Sequence, residues 1–213
     1  MTNACAAALA ALQLKRPVRI FNSRSADMQL LGGREEWLAD YTAGFDATGK
    51  LLGVRFSFAV DCGAAPGDTE GSLYMGMHWA GNAYYIPAYA ATAALYRTAT
   101  PARTSMRAPG VLQTCLATEL VLERVAATLN LPLASVQAVN LLAAGQSTVT
   151  GQKLAADGGL LPQELWQRAS MRSRYEARLA AAQAFNAGSR WVKRGVAMVS
   201  SACKDWCYCC KYA

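Results

Sequence analysis

The sequence lacks three features that would each assign it to a particular class of protein. No uninterrupted apolar run is long enough to cross a bilayer, which argues against a membrane-spanning protein. The apolar start, residues 1–10, carries no basic region, which argues against a secretory signal. Despite a net charge of +7, no block of consecutive basic residues is present, so a solvated surface is favoured over a nucleic-acid groove.

Hydrophobic residues, at 53% of 213, suffice for a real core in one ordinary domain or a pair of small ones. The seven cysteines are an odd number, which argues against a disulfide framework. Cys5, Cys62 and Cys115 are isolated in apolar or helical contexts, as expected of reduced core thiols in a cytosolic protein. The other four match neither paired zinc knuckles nor an iron–sulfur pattern, so we expect no metal site at Cys203, Cys207, Cys209 and Cys210.

The clearest secondary-structure prediction is a long hairpin over residues 37–61. Two runs of alternating apolar residues are separated by five residues containing Gly49, whose freedom to adopt positive φ suits a longer hairpin loop. The face predicted to pack against helices comprises Trp37, Tyr41, Phe45, Leu52, Phe56 and Phe58. We assign this hairpin a scaffold role only.

Residues 61–85 lose periodicity and collect five glycines together with methionine and aromatic residues. Such a stretch can line a cavity, because backbone approaches closely while a few side chains shape the wall. The alternative is a meandering loop whose apolar residues fill the core. His78 is the single histidine, and without a second histidine or a paired carboxylate we expect a packed or hydrogen-bonded residue.

The remaining segments give shorter predictions. Helices are predicted over residues 4–14, 134–142 and 162–185, the last carrying arginines expected to face solvent, namely Arg168, Arg172, Arg174 and Arg178. Residues 18–21 and 191–199 are predicted strands, the first of them buried. Residues 22–33 are predicted to be a surface connection and residues 147–159 an irregular polar loop.

A helix of about five turns is predicted to end near Asn130, just before Leu131 and Pro132. Its apolar stripe is predicted to comprise Leu112, Leu116, Leu120, Val121 and Ala127. Glu119 and Glu123 lie on one helical face. Paired carboxylates can perform acid-base chemistry, but neighbouring Arg124 favours a solvated face.

The chain is organised around residues 98–113, where a strand-like run leads through a proline-containing loop into this helix. A loop before a helix start favours anions, because unpaired backbone N–H groups and the macrodipole point at it. Arg107 is therefore the first candidate functional residue. The alternative is a solvated loop arginine, since basic loops before helices are common.

Several motifs in this sequence occur in the same order in one enzyme family. They are RPVR at 16–19, LGGR at 31–34, NAYYIP at 82–87, SMRAPG at 105–110, GQKL at 151–154, YEAR at 175–178, FN at 185–186 and RWVKRG at 190–195. Across about 15–199 the chain resembles the xanthine dehydrogenase and aldehyde oxidase family, the molybdenum hydroxylases. There SMRAPG corresponds to an alanine-phenylalanine-arginine-glycine-phenylalanine-glycine loop that embraces molybdopterin.

The resemblance implies an α+β fold: part of a molybdopterin-binding domain over residues 1–199, with the long hairpin packed against helices. Residues 200–213 resemble nothing in the family and read as a cysteine-rich tail on a truncated product or an imperfect gene model. Members hydroxylate aldehydes or N-heterocycles with oxygen derived from water. Arg107, with the backbone at Ser105, Met106 and Ala108, would hold the cofactor.

Two positions depart from the family pattern and bear on the substrate. Met75 stands where purine-hydroxylating members carry an orienting arginine, and Pro109 replaces an aromatic residue that stacks on substrate. A thioether cannot donate a hydrogen bond to a purine, so a less polar pocket is expected. The resemblance places the pocket glutamate, the catalytic glutamate and the iron–sulfur and flavin segments outside this chain, so no residue here is nominated as catalytic.

Two functions follow from the resemblance. The chain is either part of a molybdenum hydroxylase completed by other segments, or a catalytically inactive remnant or interaction module that keeps the scaffold. A polyanion-binding domain is a third hypothesis, and only the net positive charge supports it. We expect small-molecule substrates, a cytoplasmic location, a homodimer as is usual in the family, no nucleic-acid or membrane partner, and no cofactor retention by the isolated chain.

Overall fold

A three-stranded sheet and seven helices form the described part of the chain, residues 2–30, 32–154 and 161–201 of a computed structural model. The strands are β1 (Trp37–Phe45), β2 (Leu51–Gly63) and β3 (Ala88–Arg97). The helices are α1 (Thr2–Leu14), α2 (Arg24–Leu30), α3 (Thr69–Trp79), α4 (Val111–Leu129), α5 (Leu133–Asn140), α6 (Pro162–Ser173) and α7 (Tyr175–Gly188). This mixed composition confirms the predicted α+β class.

The sheet has the order β1-β2-β3, with β1 antiparallel and β3 parallel to the central strand. The predicted hairpin is confirmed. Its turn is closed by Asp46, whose Oδ1 accepts from the backbone N–H groups of Thr48 at 2.8 Å and Lys50 at 3.1 Å. Gly49 adopts φ +83°, as the turn requires.

A register shift at the start of β2 changes which residues of the hairpin are buried. Gly44 pairs with Gly53 but Phe45 pairs with Leu51, so the alternation slips by one residue. Leu51 is therefore 0% exposed, whereas Leu52, predicted to be buried, is 56% exposed. Tyr41 is also exposed, so its predicted place on the buried face of the hairpin is wrong as well.

The core lies between one face of the sheet and helices α4 and α5. Phe56 and Phe58 are buried and stack with ring centroids 5.1 Å apart, and Trp37 and Phe45 pack against the same cluster. Those four members of the predicted face are confirmed. Fully burying such aromatic side chains stabilises a fold by about 1.5–3 kcal/mol each.

Asn140 is a buried polar residue that joins α5 to the hairpin turn. Its Oδ1 accepts from the N–H of Leu51, and its Nδ2 donates to the carbonyls of Gly49 and Val136, each at 2.8 Å. Because every polar group of this side chain is used, its burial is compensated.

Two predicted strands are absent from the described structure. Residues 18–21 and 191–199 have no strand assignment, and Ile20, Phe21, Trp191 and Val199 are exposed. A strand requires a neighbour for its backbone groups, and neither segment joins the sheet. Residues 22–33, predicted to be a connection, contain α2 instead.

Other predictions hold in part. Residues 61–85 contain α3 rather than an unstructured glycine-rich stretch, and the predicted long helix after Pro162 is broken at Arg174, which adopts φ +51°. The four arginines of that region are exposed, as predicted. Of the predicted loop 147–159, residues 147–154 carry one bridge between Ser147 and Lys153, and the rest lies outside the described residues.

Four residues of α4 lie in environments that differ from the predicted ones. Leu112, Leu116 and Leu120 are exposed, because α4 buries the opposite face, Val121 and its neighbours, against the sheet. Glu119, predicted to be solvated, is half-buried and accepts hydrogen bonds from other segments, whereas Glu123 is exposed as predicted.

The isolated cysteines divide by burial. Cys62 is buried and Cys115 half-buried, both as free thiols, but Cys5 is exposed on α1, which corrects its prediction as a core thiol. Burial, with a smaller contribution from neighbouring Glu119, raises the pKa of Cys115 to about 11. The four C-terminal cysteines lie outside the described residues. No helix in the described ranges is both long and apolar enough to span a bilayer.

Candidate functional site

The loop between β3 and α4 is tied to the preceding segments by backbone hydrogen bonds. The N–H of Thr98 donates to the carbonyl oxygen of Gly63 at 3.1 Å. The N–H groups of Arg103 and Thr104 donate to the carbonyl oxygens of Cys62 and Gly33, each at 3.2 Å. The loop is therefore positioned by the strand end and by the LGGR segment rather than by helix packing alone.

Two glycines permit this close approach. A Cβ on Gly63 would lie 2.2 Å from the Pro101 oxygen, and one on Gly32 would lie 2.4 Å from the Ala102 oxygen. Both glycines also have positive φ, +69° and +73°. A side chain at either position would displace the loop backbone.

Arg103 anchors the middle of the loop to the sheet. Its guanidinium forms an ion pair with Asp61, with Nε 2.7 Å from Oδ2, and also reaches Glu36 at 3.3 Å. Burial raises the pKa of Asp61, but hydrogen bonds from Thr98, from the Gly63 amide and from Arg103 outweigh it. The net pKa of Asp61 therefore lies below its ordinary value.

Arg34 holds the segment that contains Arg107. Its Nη2 donates to the carbonyl of Arg107 at 2.6 Å and its Nη1 to the carbonyl of Ala108 at 3.1 Å. In a trans peptide the carbonyl and the following N–H point in opposite directions, so the Ala108 N–H points away from Arg34.

The start of α4 completes the donor set. Its N-cap, Gly110, has φ +69° and provides no side-chain hydrogen bond to the first turn. A Cβ at Gly110 would lie 1.9 Å from the Ser72 oxygen, so α3 contacts this helix start directly. Uncapped N–H groups and the positive end of a 19-residue helix favour an anionic ligand.

The predicted site residues are brought together only in part. Ser105, Met106 and Pro109 are half-buried, whereas Arg107 and Ala108 are exposed in the same short segment. Met75 lies on a separate element, α3, where it is half-buried. Its neighbour Gly76 lies, with Ser72, against Gly110, and a Cβ at Gly76 would be 3.1 Å from the Gly110 oxygen.

Glu35 is a further residue of this region that sequence reasoning missed. It is 3% exposed, and its Oε1 accepts from Ser72 Oγ at 2.6 Å. Gln113, in the first turn of α4, donates to the Glu35 backbone carbonyl at 3.3 Å. Glu35 Oε2 and Gln113 Oε1 are buried acceptors without a donor among the described residues. The only sequence signal was an acidic pair directly after the LGGR motif.

The single histidine is not part of this arrangement. His78 Nδ1 lies 2.8 Å from the Tyr74 carbonyl oxygen, and the two rings have centroids 4.0 Å apart. The expectation of a hydrogen-bonded residue is confirmed. In the described ranges, no group of three or more histidine, cysteine or acidic side chains is placed to hold a metal ion.

An exposed arginine beside a helix start without a side-chain cap is an arrangement that favours an anion. Residues 1–141 match the model of the molybdopterin cofactor-binding domain, and this is well over half of the 213 residues. The chain therefore belongs to the molybdopterin cofactor-binding domain family.

Individual relatives agree with this assignment. The chain is 32% identical over 197 residues to probable aldehyde oxidase 3 of Oryza sativa subsp. japonica, covering 92% of this chain and 14% of that protein. It is 32% identical over 194 residues to the xanthine dehydrogenase/oxidase of Mus musculus, covering 91% of this chain and 14% of that protein. The chain thus spans about one seventh of the length of these relatives.

Solved structures show the same fold. The aldehyde oxidoreductase of Desulfovibrio gigas superposes with a TM-score of 0.70 at 22% identity, covering 83% of this chain and 19% of that one. Quinoline 2-oxidoreductase of Pseudomonas putida 86 superposes with a TM-score of 0.65 at 20% identity, covering 83% of this chain and 23% of that one.

Proposed function

We propose that the chain contributes the Arg107 loop to the molybdopterin site of a molybdenum hydroxylase that oxidises aldehydes or N-heterocycles. The observation that carries this proposal is the clamp of Arg34 on the carbonyls of Arg107 and Ala108. The clamp fixes a donor-rich segment at an uncapped helix start, and such a segment suits an anionic, oxygen-rich cofactor.

Each residue of the segment has a defined part in this proposal. Arg107 supplies the exposed positive charge, the Ala108 N–H supplies a fixed donor, and Ser105 and Met106 supply the half-buried backbone on the preceding side. When bound, the molybdenum centre accepts the two electrons released as a substrate carbon is hydroxylated. The protein's own contribution is binding, orientation and exclusion of water.

Met75 and Pro109 define the proposed substrate preference. Neither side chain can donate a hydrogen bond or carry positive charge, so neither can stabilise charge developing on a purine. We therefore propose aldehydes or apolar heterocycles as substrates ahead of purines. The chain is 32% identical both to an aldehyde oxidase and to a xanthine dehydrogenase/oxidase, so overall similarity does not distinguish the substrates. The proposed preference for aldehydes therefore depends on these two side chains.

The organisation of the enzyme belongs to the same proposal. We place the domain at residues 1–199 and assign 200–213 outside it, although Ser200 still accepts a hydrogen bond from Asn82 Nδ2 at 3.0 Å. The family resemblance supports a cytoplasmic homodimer completed by further polypeptide. The second candidate function, an interaction module without catalysis, is favoured by the exposed leucines of α4.

The decisive experiment measures molybdenum by mass spectrometry. The chain would be purified alone and after co-expression with the rice relative from which the 197 matched residues have been removed. We expect no molybdenum in the isolated chain and near-stoichiometric molybdenum in the completed protein. Arg107→Ala should weaken the affinity for the cofactor roughly tenfold, which corresponds to about 1.4 kcal/mol, and should lower the molybdenum content accordingly.

Arg97→Ala is the matched control, because Arg97 is also exposed and precedes the same loop. It should leave molybdenum content unchanged. Equal metal in the Arg107→Ala and parent proteins would refute the assignment of Arg107. A completed, metal-loaded protein that oxidised xanthine in preference to benzaldehyde would refute the proposed substrate preference, and one with no turnover would favour the interaction module.

A further inference from the structure

We propose that Glu35 is a positioning residue, whose buried carboxylate holds the start of α3 through Ser72. The position of α3 in turn sets where Met75 lies beside the Arg107 loop. Met75 is one of the two side chains that carry the proposed substrate preference, and in that respect the inference rests on the proposed function. Glu35 itself is given no contact with substrate or cofactor.

Glu35 is a buried carboxylate without a positive partner. It is 3% exposed, and none of the ion pairs between described residues involves it. The adjacent arginine, Arg34, donates to backbone carbonyls of the Arg107 loop instead. Burying a carboxyl group without a charged partner opposes folding, so this side chain is poorly explained as a stabilising residue. Its hydrogen bonds indicate what it does instead.

The side chain of Glu35 is used by α3. Its Oε1 accepts from Ser72 Oγ at 2.6 Å. Ser72 is 1% exposed and lies with Thr69 and Gly76 on the buried side of α3. Within the described ranges, no other side chain in the first half of this helix forms a hydrogen bond to another element. The Glu35 contact is therefore the directional restraint on the start of α3.

The packing of the start of α3 against α4 is close, but it supplies no comparable restraint. A Cβ at Gly76 would lie 2.6 Å from the Trp37 ring and 3.1 Å from the Gly110 oxygen. Backbone therefore approaches backbone, without side chains that interlock and oppose sliding. The N-cap of α3, Asp68, makes no side-chain hydrogen bond to the first turn.

The C-terminal end of α3 is held by other residues. Tyr89 Oη donates to the carbonyl of Met77 at 2.8 Å, and Thr118 Oγ1 donates to the carbonyl of Ala80 at 2.5 Å. Met75 lies between the two restraints, three residues after Ser72 and two before Met77. Loss of the restraint at the start would let the helix pivot about its held end and carry Met75 with it.

The same pair of residues holds the other side of the proposed site. The backbone carbonyl of Glu35 accepts from Gln113 Nε2 in the first turn of α4, at 3.3 Å. Arg34 clamps the Arg107 loop. Two consecutive residues thus divide the work, since position 34 holds the cofactor side and position 35 holds the Met75 side.

Methionine methyl groups report on both sides directly. Of the seven methionines, Met75 lies on α3, Met106 directly precedes Arg107, and Met171 is 71% exposed on α6. The full chain would be labelled with carbon-13 at the methionine methyl groups and studied by nuclear magnetic resonance. Met75→Leu, Met106→Leu and Met171→Leu would assign the three signals.

We expect Glu35→Leu and Ser72→Ala each to shift the Met75 signal by more than its line width, with the Met171 signal unchanged. Glu35→Gln should leave the Met75 signal in place, because an amide oxygen still accepts from Ser72. A shifted Met75 signal in Glu35→Gln, or an unshifted one in Ser72→Ala, would overturn the proposal. Ser72→Ala deletes only one hydroxyl, so the test stays decisive where Glu35→Leu fails to fold.

Two neighbouring positions provide matched controls. Glu36→Leu removes the adjacent carboxylate, whose side chain is 79% exposed, and should shift neither the Met75 nor the Met106 signal. Arg34→Leu should shift Met106 and leave Met75 in place, because Arg34 holds the loop rather than α3. A Met75 shift of the same size in either control would show that α3 responds to any change in this segment, which would also overturn the proposal.

The completed hydroxylase gives a second readout. Glu35→Leu should raise the KM for benzaldehyde several-fold and leave molybdenum content unchanged, because the cofactor is assigned to the Arg107 loop. A parent-like KM together with a shifted Met75 signal would overturn the link between α3 and the substrate. A completed protein without molybdenum would refute the proposed function, whereas the Met75 signal would still decide whether Glu35 positions α3.

Discussion

Ala108 shows at the level of one residue how the loop departs from its family pattern. It adopts φ +59°, a left-handed conformation that glycine reaches freely and that costs other residues about 1–2 kcal/mol. The related family loop has glycine at this position. The Arg34 hydrogen bonds to the neighbouring carbonyls help to hold alanine in this conformation.

We therefore predict that Ala108→Gly stabilises the chain. Relief of strain exceeds the 0.5–1 kcal/mol that glycine loses through greater unfolded-state freedom, leaving a net gain of about 0.5 kcal/mol. Ala65→Gly is the control, because Ala65 is exposed and has no positive φ. Chemical denaturation should show opposite signs for the two substitutions, and a loss on Ala108→Gly would contradict the strain argument.

Asp61 supplies a prediction about pH. Its pKa is lowered in the folded chain, because hydrogen bonds from Thr98, Gly63 and Arg103 outweigh the effect of burial. A group with a depressed folded pKa stabilises above its unfolded pKa, near 3.9, and loses that contribution as pH falls through the folded value. Asp61→Asn should cost about 2 kcal/mol at pH 7 by weakening a charged hydrogen-bond network.

The difference between Asp61→Asn and the parent chain should shrink progressively as pH falls below about 4. Glu36→Gln removes the more exposed carboxylate partner of the same arginine, and should change stability by less than about 0.5 kcal/mol. Urea denaturation between pH 3 and pH 7 measures both. A constant difference across this range would show that Asp61 acts through shape rather than charge.

At the level of secondary-structure elements, the bulge at the start of β2 determines the burial of two adjacent leucines. The pairing slips between Gly44 and Phe45, so Leu51 points into the core and Leu52 points to solvent. A strand without the bulge would have reversed them, since side chains alternate between faces.

The matched pair of truncations tests this arrangement. Leu51→Ala should cost about 2–5 kcal/mol, because a fully buried leucine leaves a cavity, whereas Leu52→Ala should cost less than about 1 kcal/mol. The two substitutions delete the same atoms at adjacent positions. Similar free energies of unfolding for the two would show that the register of the hairpin differs from the one described.

At the level of the whole molecule, the uncovered side of α4 and the uncapped start of the same helix favour a domain that works inside a larger assembly. In the proposed function the N-terminal end of α4 faces the cofactor, and Leu112, Leu116 and Leu120 are exposed along the outer side of the same helix.

Much of the architecture was determined by the sequence alone. The alternating pattern predicted the hairpin, and the strand, loop and helix around residues 98–113 were predicted in order. Local rules suffice there, because strand alternation, turn glycines and helix-ending prolines act on neighbouring residues. The family resemblance, carried by motifs spread over the chain, is confirmed by the family match.

The tertiary structure alone decided which side of each element is buried and what holds the site. The leucine stripe of α4 and the strand-like segments 18–21 and 191–199 are exposed, because apolar character signals a need for a partner without saying whether this chain supplies it. The bulge, the Arg34 clamp and buried Glu35 depend on contacts between residues far apart in sequence. Spacing within the sequence carries no information on such contacts, because they arise only when the sheet, α3 and α4 come together.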